Sequence, residues 1–278
     1  MKFSIITASY NPGDKLVKTM NSILDQTFTD YQVVIKDGVS KDGSLGLLEE
    51  DSRLGEALAT ERILVICQKD KSVYDAMNQA AEYVQGDYVL YLNCGDVFFD
   101  KEVLERVAKH IDNAENSKTF LGKDAIFYGN TFCSRTGVMV HSAPKITGFT
   151  CYRNIPCHQS CFYSKNLIQE KKYDDSLKIR ADYDHFLWVF YEKEAEFYYM
   201  DTVISDYEGG GISESKENQS LDKSEHELII KRYMKKSEIA KYKTIMFLTL
   251  APLRRWIAES TALSGIYHRL KEMIYRNK

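Results

Sequence analysis

Short apolar segments alternate with amphipathic helical patterns through the first 111 residues of this 278-residue chain. The apolar segments predict strands over residues 2–9, 31–36, 62–67 and 88–92. Between them, apolar residues recur with helical spacing and predict helices over 14–28, from about residue 44, over 73–84 and over 101–111. Strands that alternate with helices in this way form a mainly parallel sheet with helices on both faces. The pattern therefore constrains the fold class to α/β.

Polar side chains follow each predicted strand at the point where its apolar run ends. In parallel sheets the ligand lies beyond the carboxyl ends of the strands, so these residues are the first candidates for a binding site. They are Thr7, Ser9 and Asn11 after the first strand, Asp37 after the second, Asp70 after the third and Asp96 after the fourth.

The charge distribution divides the chain into an acidic body and a basic tail. Residues 221–278 carry 13 Lys and Arg against 6 Asp and Glu, whereas residues 1–220 carry 24 against 34. A basic tail that also holds Trp256 and Tyr267 is typical of a helix lying on an anionic membrane surface; the alternative is a helix packed on the body. The ten-residue apolar run within the tail, residues 244–253, is far shorter than the roughly 20 residues needed to span a bilayer. Nucleic acid is a poor candidate partner because the body is acidic.

The cysteines indicate a reducing compartment. Six are scattered along the chain, and the N-terminal apolar run is too short for the core of a secretion signal, so a cytoplasmic protein is expected. Cys151, Cys157, His158 and Cys161 are close in sequence, but their spacing matches no common zinc pattern.

Two phosphate-binding motifs are absent, and four other segments take their place. Neither GxGxxG nor GxxxxGK[ST] follows the first strand, which argues against dehydrogenases and NTPases. The segments SIITASYN, IKDGVSKDGS, DKSVYDAMNQA and YLNCGD instead resemble motifs of glycosyltransferase family 2, of the LNSGD-type subgroup that assembles polysaccharides. The resemblance covers roughly the first 100 residues and reappears in patches to about Ser213.

The resemblance implies a fold, a domain division and an activity. It implies a GT-A fold, with a Rossmann-like central sheet and a C-terminal helical segment. Residues 1–220 would form the GT-A domain, with a nucleotide-sugar half (1–100) and an acceptor half (101–220), and residues 221–278 a basic amphipathic helical extension. The activity would be inverting sugar transfer from a nucleoside diphosphate sugar, most simply a UDP-sugar, to a saccharide or lipid-linked saccharide in surface polysaccharide synthesis. The protein would be cytoplasmic and peripheral to the membrane.

Donor-binding roles carry over to positions that match the family motifs. Asp37 and Gly38 would meet the nucleobase, and Lys71 can neutralise phosphate while Asp75 orients sugar hydroxyls. The residues that the resemblance places around the nucleotide and donor sugar are Thr7, Ser9, Tyr10, Asn11, Asp37, Gly38, Asp70, Lys71, Asp75, Asn78, Asn93 and Gly95.

A cation is expected over the leaving phosphates, because negative charge builds up there as the glycosidic bond breaks. Mn²⁺ or Mg²⁺ would take a carboxylate oxygen from Asp96, since both prefer hard oxygen ligands. The usual family run has carboxylates where this chain has Asn93 and Gly95, so affinity for the metal without nucleotide is expected to be weak. The alternative is a simple turn in which Asp96 caps the next helix.

The acceptor half supplies the expected general base. The segment IRADYDHFLWVF resembles the family element that carries it, and Asp182 occupies the base position, with Ala181 where many members have Glu. Asp184 is the fallback. The segment CHQSCFY resembles a family segment near the acceptor, which implies that His158 and Gln159 line that site; a buried, satisfied histidine is the alternative. Residues 209–213 resemble the family's GGIS loop.

Two other classes of protein remain open at this point. A sugar nucleotidyltransferase would share an α/β nucleotide fold, but it needs a glycine-rich basic phosphate loop that TASYNPGDK lacks. A non-catalytic nucleotide-sugar-binding protein is favoured by the absence of carboxylates at positions 93 and 95, and disfavoured by the presence of Asp182.

Overall fold

The computed structural model describes residues 1–117, 120–122, 124–211 and 215–249. Its strands are β1 (Phe3–Ser9), β2 (Tyr31–Asp37), β3 (Ile63–Cys67), β4 (Tyr88–Tyr91), β5 (Val97–Phe98), β6 (Ala125–Cys133), β7 (Val138–Val140), β8 (Cys161–Ser164) and β9 (Glu196–Tyr207). Its α-helices are α1 (Lys15–Leu24), α2 (Ser44–Glu50), α3 (Ser52–Ala59), α4 (Val73–Ala80), α5 (Val103–Glu115), α6 (Gly148–Arg153), α7 (Lys165–Glu170), α8 (Ala181–Trp188), α9 (Gln219–Tyr233) and α10 (Lys236–Leu248).

All the strands in the described part of the chain belong to one sheet. Its order is β3-β2-β1-β4-β8-β6-β9-β5, and β7 pairs with β6. The predicted strands of the first half, β1 to β4, pair in parallel, as expected. The acceptor half joins this sheet through the antiparallel pair β4–β8 and continues with the parallel pair β6–β9.

Both faces of β1, β2 and β4 are covered, which explains why these strands are buried along almost their whole length. Phe3 and Ile5 of β1 belong to a core cluster that also contains buried residues of α1 and α5. Ile6 and Val34 point to the opposite face because side chains alternate along a strand. They too are fully buried, and α4 packs against β1 and β2.

The longest strand, β9, was not predicted, although it is rich in aromatic and β-branched residues. It runs parallel to β6 with a bulge, and its end pairs with β5, where Val97 lies opposite Asp206. The short elements β5, α3, α6 and α7 were also not predicted. The β5–β9 pairing matters most, because it brings residue 208 beside the carboxyl end of β4.

The chain divides into two compact units, Met1–Ile229 and Ile230–Lys278. In the second unit, α10 ends in four consecutive apolar residues of which Phe247 and Leu248 are exposed. Trp256 and Tyr267 of the basic tail lie outside the described residues. Within the described residues, no helix combines the length and apolarity needed to cross a membrane.

Candidate functional site

A cavity of about 800 Å³ lies beyond the carboxyl ends of β1 and β4 and reaches the start of α8. This is the edge of the sheet at which the sequence predicts a ligand. Residues from both predicted halves line it, although they are distant in the sequence. The predicted site residues on its wall are Tyr10, Asn11, Asn93, Asp96, His158, Gln159 and Asp182.

Asp96 is a buried carboxylate on the donor side of this cavity. It is only 4% exposed, and burial raises the pKa of its carboxyl group. Two donors oppose part of that shift: Gln159 Nε2 lies 3.0 Å from Oδ2, and the backbone N–H of Glu208 lies 3.1 Å from Oδ1. Because neither contact is to a helix N-terminus, Asp96 is not acting as a cap. Gln159, which the sequence placed near the acceptor, holds this carboxylate in place, and its role toward the acceptor stays a prediction.

Gly95 allows a second carboxylate to approach the same turn. Its φ of 98° lies in the region that favours glycine, and a Cβ atom there would come 2.4 Å from Glu208 Oε2. Lys15 forms an ion pair with this carboxylate, with Nζ 2.6 Å from Glu208 Oε2. Glu208 was not among the predicted site residues, because its position depends on the β5–β9 pairing.

The side chains present are compatible with a divalent cation bound together with a nucleotide. In the described part of the chain, no three His, Cys, Asp or Glu side chains come together as a ready-made metal site. Asp96 does offer buried carboxylate oxygens at the cavity edge, and Mg²⁺ and Mn²⁺ prefer such ligands. The donor set therefore fits a cation that takes most of its remaining ligands from phosphate oxygens and water.

Asp182 lies on the acceptor side, in the first turn of α8, with its side chain 21% exposed. Its Oδ1 accepts from the backbone N–H of Tyr183 at 2.8 Å and contacts the Tyr74 hydroxyl at 3.2 Å. Its Oδ2 lies 3.3 Å from His158 Nδ1. Burial alone would raise the pKa of Asp182, but the His158, Tyr183 and Tyr74 contacts outweigh it and hold the pKa below its usual value. A lowered pKa favours the ionised carboxylate that a general base requires.

Asp184, the fallback base, has a different environment. It is fully buried, and its Oδ2 pairs with Lys171 Nζ at 3.0 Å. Two positions along a helix turn the side chain by about 200°, so Asp182 and Asp184 cannot face the same cavity. Asp184 is not among the described residues that line the cavity.

Glu225 of α9 holds the backbone segment that leads into α8. This residue was not predicted from the sequence. Its buried carboxylate accepts the backbone N–H groups of Lys178, Ile179 and Arg180 at 2.8 to 3.0 Å. Arg180 forms a second link, because its Nε lies 2.7 Å from an Asp222 carboxylate oxygen. These contacts hold the backbone immediately before Asp182.

Replacing Glu225 with glutamine should destabilise the protein by about 1–3 kcal/mol, because an NH₂ group would then face backbone donors in a buried site. Urea unfolding of E225Q measures this loss. The matched control is E227Q, since Glu227 is exposed on the same helix. Equal stability of the two variants would contradict the assigned role of Glu225.

The nucleobase candidate Asp37 is fully buried at the end of β2. Ser9 Oγ donates to its Oδ2 at 3.1 Å, and Ser40 donates to both oxygens, through Oγ at 2.6 Å and its backbone N–H at 2.7 Å. Val39, which lies between Asp37 and Ser40 in the sequence, has a φ of 68°. That left-handed conformation explains why the family has glycine at this position.

Asp70 and Gly38 lie beside Tyr10 at the same end of the sheet. The fully buried Lys36 donates to Asp70 Oδ2 at 3.0 Å and also to backbone carbonyls of Asp37 and Gln68. A Cβ atom on Gly38 would come 2.9 Å from Asp70 Oδ2 and 3.1 Å from the Tyr10 ring. Gly38 therefore permits the close packing of these side chains.

Nine of the twelve predicted donor residues are not among the described residues that line the cavity: Thr7, Ser9, Asp37, Gly38, Asp70, Lys71, Asp75, Asn78 and Gly95. Four of these make the following contacts within the protein. Thr7 donates to the Leu92 carbonyl at 2.8 Å, and both ends of the Asn78 amide pair with the Tyr173 backbone at 2.8 Å. Asp75 accepts from the Lys71 backbone N–H at 2.8 Å, while the Lys71 side chain is 84% exposed. Their roles toward the donor remain predictions.

The described part of the glycine-rich loop, residues 209–211, lines the cavity directly after Glu208. The backbone N–H of Gly211 donates to the Tyr207 hydroxyl at 3.1 Å. Ile212 and Ser213, the rest of the family-like segment, lie outside the described residues.

The mainly parallel sheet, with a cavity at the carboxyl ends of its strands, is the GT-A fold that the resemblance implied. The family model for "Glycosyl transferase family 2" matches residues 4–177. The chain therefore belongs to glycosyl transferase family 2.

Similar proteins that carry glycosyltransferase names agree with this assignment. A "PGL/p-HBAD biosynthesis glycosyltransferase" of Mycobacterium tuberculosis is 30% identical over 76% of this chain and 78% of its own length. The Escherichia coli glycosyltransferase WfaP, named as UDP-Glc:alpha-D-GlcNAc-diphosphoundecaprenol beta-1,3-glucosyltransferase, is 29% identical over 55% of this chain and 57% of its own length. A crystal structure of S. aureus TarS residues 1–349 with UDP aligns with a TM-score of 0.66 at 18% identity, over 92% of this chain and 78% of that chain.

Proposed function

We propose that this chain transfers a sugar, with inversion, from a UDP-sugar to a hydroxyl group of a saccharide or lipid-linked saccharide during cell-surface polysaccharide synthesis. The observation that carries the proposal is that Asp96 and Asp182 line a single cavity at the carboxyl edge of the sheet. The names of WfaP and the Mycobacterium tuberculosis relative support the type of product, and the UDP complex of TarS supports the nucleotide.

Inversion in one displacement assigns distinct tasks to the two sides of the cavity. The acceptor oxygen attacks the anomeric carbon from the side opposite the leaving diphosphate, and Asp182 takes the proton of the attacking hydroxyl. On the donor side, Asp96 would hold Mn²⁺ or Mg²⁺, which supplies positive charge to the departing phosphates. Asp37, Ser9 and Asn11 would orient the nucleoside.

The acceptor is proposed to reach the enzyme at a membrane surface on the cytoplasmic side. All six cysteines are free, which fits a reducing compartment. Lysines at 235, 236, 241 and 243 accompany the exposed Phe247 and Leu248 in and around α10, a combination suited to an anionic lipid surface.

Release of nucleoside diphosphate from a panel of UDP-, GDP- and dTDP-sugars tests the proposal. We expect one UDP-sugar to turn over with Mn²⁺ or Mg²⁺ and to stop with EDTA, with faster release when a lipid-linked saccharide is supplied in anionic vesicles. Co-sedimentation with those vesicles tests peripheral binding in the same samples. A donor that binds but is never consumed with any acceptor would instead indicate a binding protein.

A further inference from the structure

His158 joins the two sides of the cavity. Its Nε2 lies 3.1 Å from Asn93 Nδ2, at the end of β4, and its Nδ1 lies 3.3 Å from Asp182 Oδ2, at the start of α8. The imidazole is 20% exposed, so protein surrounds most of the ring. One ring thus connects the donor-side strand end to the proposed catalytic base.

The orientation of the Asn93 amide determines which ring nitrogen carries the proton. With its NH₂ group towards the ring, as in this structure, Asn93 only donates, so Nε2 is unprotonated. The neutral ring then carries its proton on Nδ1, which faces the carboxylate of Asp182 and donates to it. A carboxylate at position 93, as in the usual family motif, would do the opposite, because it accepts and would favour a proton on Nε2. The reversed Asn93 amide would likewise bring Oδ1, which is buried without a hydrogen-bond partner among the described residues, to accept from Nε2–H, and the NMR experiment below distinguishes the two orientations.

The same contacts determine which oxygen of Asp182 remains available. Oδ1 already receives the Tyr183 backbone N–H and faces the Tyr74 hydroxyl. His158 Nδ1 contacts Oδ2, and each carboxylate oxygen has two lone pairs. The proton of an acceptor hydroxyl therefore has its open position on Oδ2, the oxygen that His158 holds.

We propose that His158 is a positioning residue for Asp182, and that Asn93 keeps its ring in the neutral Nδ1–H tautomer. This inference rests on the proposed role of Asp182 as the base. The proposal also explains the amide at position 93. Where the usual family motif has a carboxylate near the phosphates, Asn93 instead orients His158, which in turn positions the carboxylate that receives the acceptor proton.

Nitrogen NMR of ¹⁵N-histidine-labelled protein tests the tautomer without any assay of activity. The His158 signals are those missing from H158N. At neutral pH we expect a protonated Nδ1 and an unprotonated Nε2 in the unmodified protein, and protonation of both nitrogens in N93D. A proton on Nε2 in the unmodified protein, with or without one on Nδ1, would overturn the proposal.

Rescue by the matching amide tests the positioning role. An asparagine at 158 can place its NH₂ near the position of Nδ1, whereas a glutamine places it near Nε2. We expect kcat to fall about 10- to 100-fold in H158Q and H158A, with the donor KM little changed, and to recover substantially in H158N. H110N, at an exposed histidine, is the control and should retain full activity.

The outcomes separate this inference from the proposed function. If D182N loses turnover while H158Q and H158A retain it, the base assignment holds and the positioning role of His158 is wrong. Equal losses in H158N and H158Q would also overturn it, because they would show dependence on the imidazole ring and not on the Nδ1 contact. If D182N retains turnover, both proposals fail.

Discussion

Replacing Asp182 with asparagine should lower kcat about 10²- to 10⁴-fold, the range expected for loss of a general base. Asparagine has nearly the same shape and can keep the Tyr183 backbone contact through its oxygen, but it cannot take a proton at neutral pH. The loss corresponds to about 3–5 kcal/mol of transition-state stabilisation. Because Asp182 is on the acceptor side, affinity for UDP should be unchanged; steady-state kinetics and UDP titration measure the two effects separately.

Asp184 provides the matched comparison, two residues further along the same helix. Its buried carboxylate pairs with Lys171, so D184N should lower the free energy of unfolding by about 3–5 kcal/mol, as breaking a buried ion pair does. Turnover per folded D184N molecule should remain near that of the unmodified protein. The opposite pattern, in which D184N folds normally but is inactive and D182N is active, would transfer the base role to Asp184.

The parallel half of the fold and its ligand edge were predictable because they depend on local patterns. Apolar runs and helical periodicity define β1 to β4, and the polar residues that follow them indicate where a ligand lies. The segment IKDGVSKDGS departs from the family motif that it resembles at Val39, which stands where the family has glycine. The structure adds the reason: Val39 keeps the left-handed backbone, with φ 68°, at a cost on the order of 1–3 kcal/mol.

The acceptor half was less predictable because it depends on pairings between distant segments. β9 has a clear local strand composition, but its position between β6 and β5 cannot be read from it. That position places Glu208 beside Gly95 and its backbone N–H on Asp96. Glu225 likewise looks like any acidic residue of a surface helix, until the fold brings three backbone N–H groups to its carboxylate.

Among donor-side residues, replacing Asp96 should have the largest effect on the binding of metal with nucleotide. With no ready-made cation site in the described residues, the metal and nucleotide are expected to bind together, and Asp96 is the carboxylate that we propose as the protein's ligand to the metal. In the unmodified protein, Mn²⁺ should therefore strengthen UDP binding. In D96N that strengthening should disappear, and metal-dependent turnover should fall at least about 10²-fold, because a neutral amide is a weaker ligand than a carboxylate.

Calorimetric titration of UDP with and without Mn²⁺ separates this role from a merely structural one. Asp96 also accepts hydrogen bonds from Gln159 and the Glu208 backbone, so D96N should lose some stability as well. A structural defect would weaken UDP binding equally in both titrations, whereas loss of a metal ligand removes only the difference between them. D100N is the control, since Asp100 is an exposed carboxylate that pairs with Arg106 and follows β5, four residues after Asp96. If Mn²⁺ strengthens UDP binding in D96N as much as in D100N, the cation is held elsewhere and Asp96 is not its ligand.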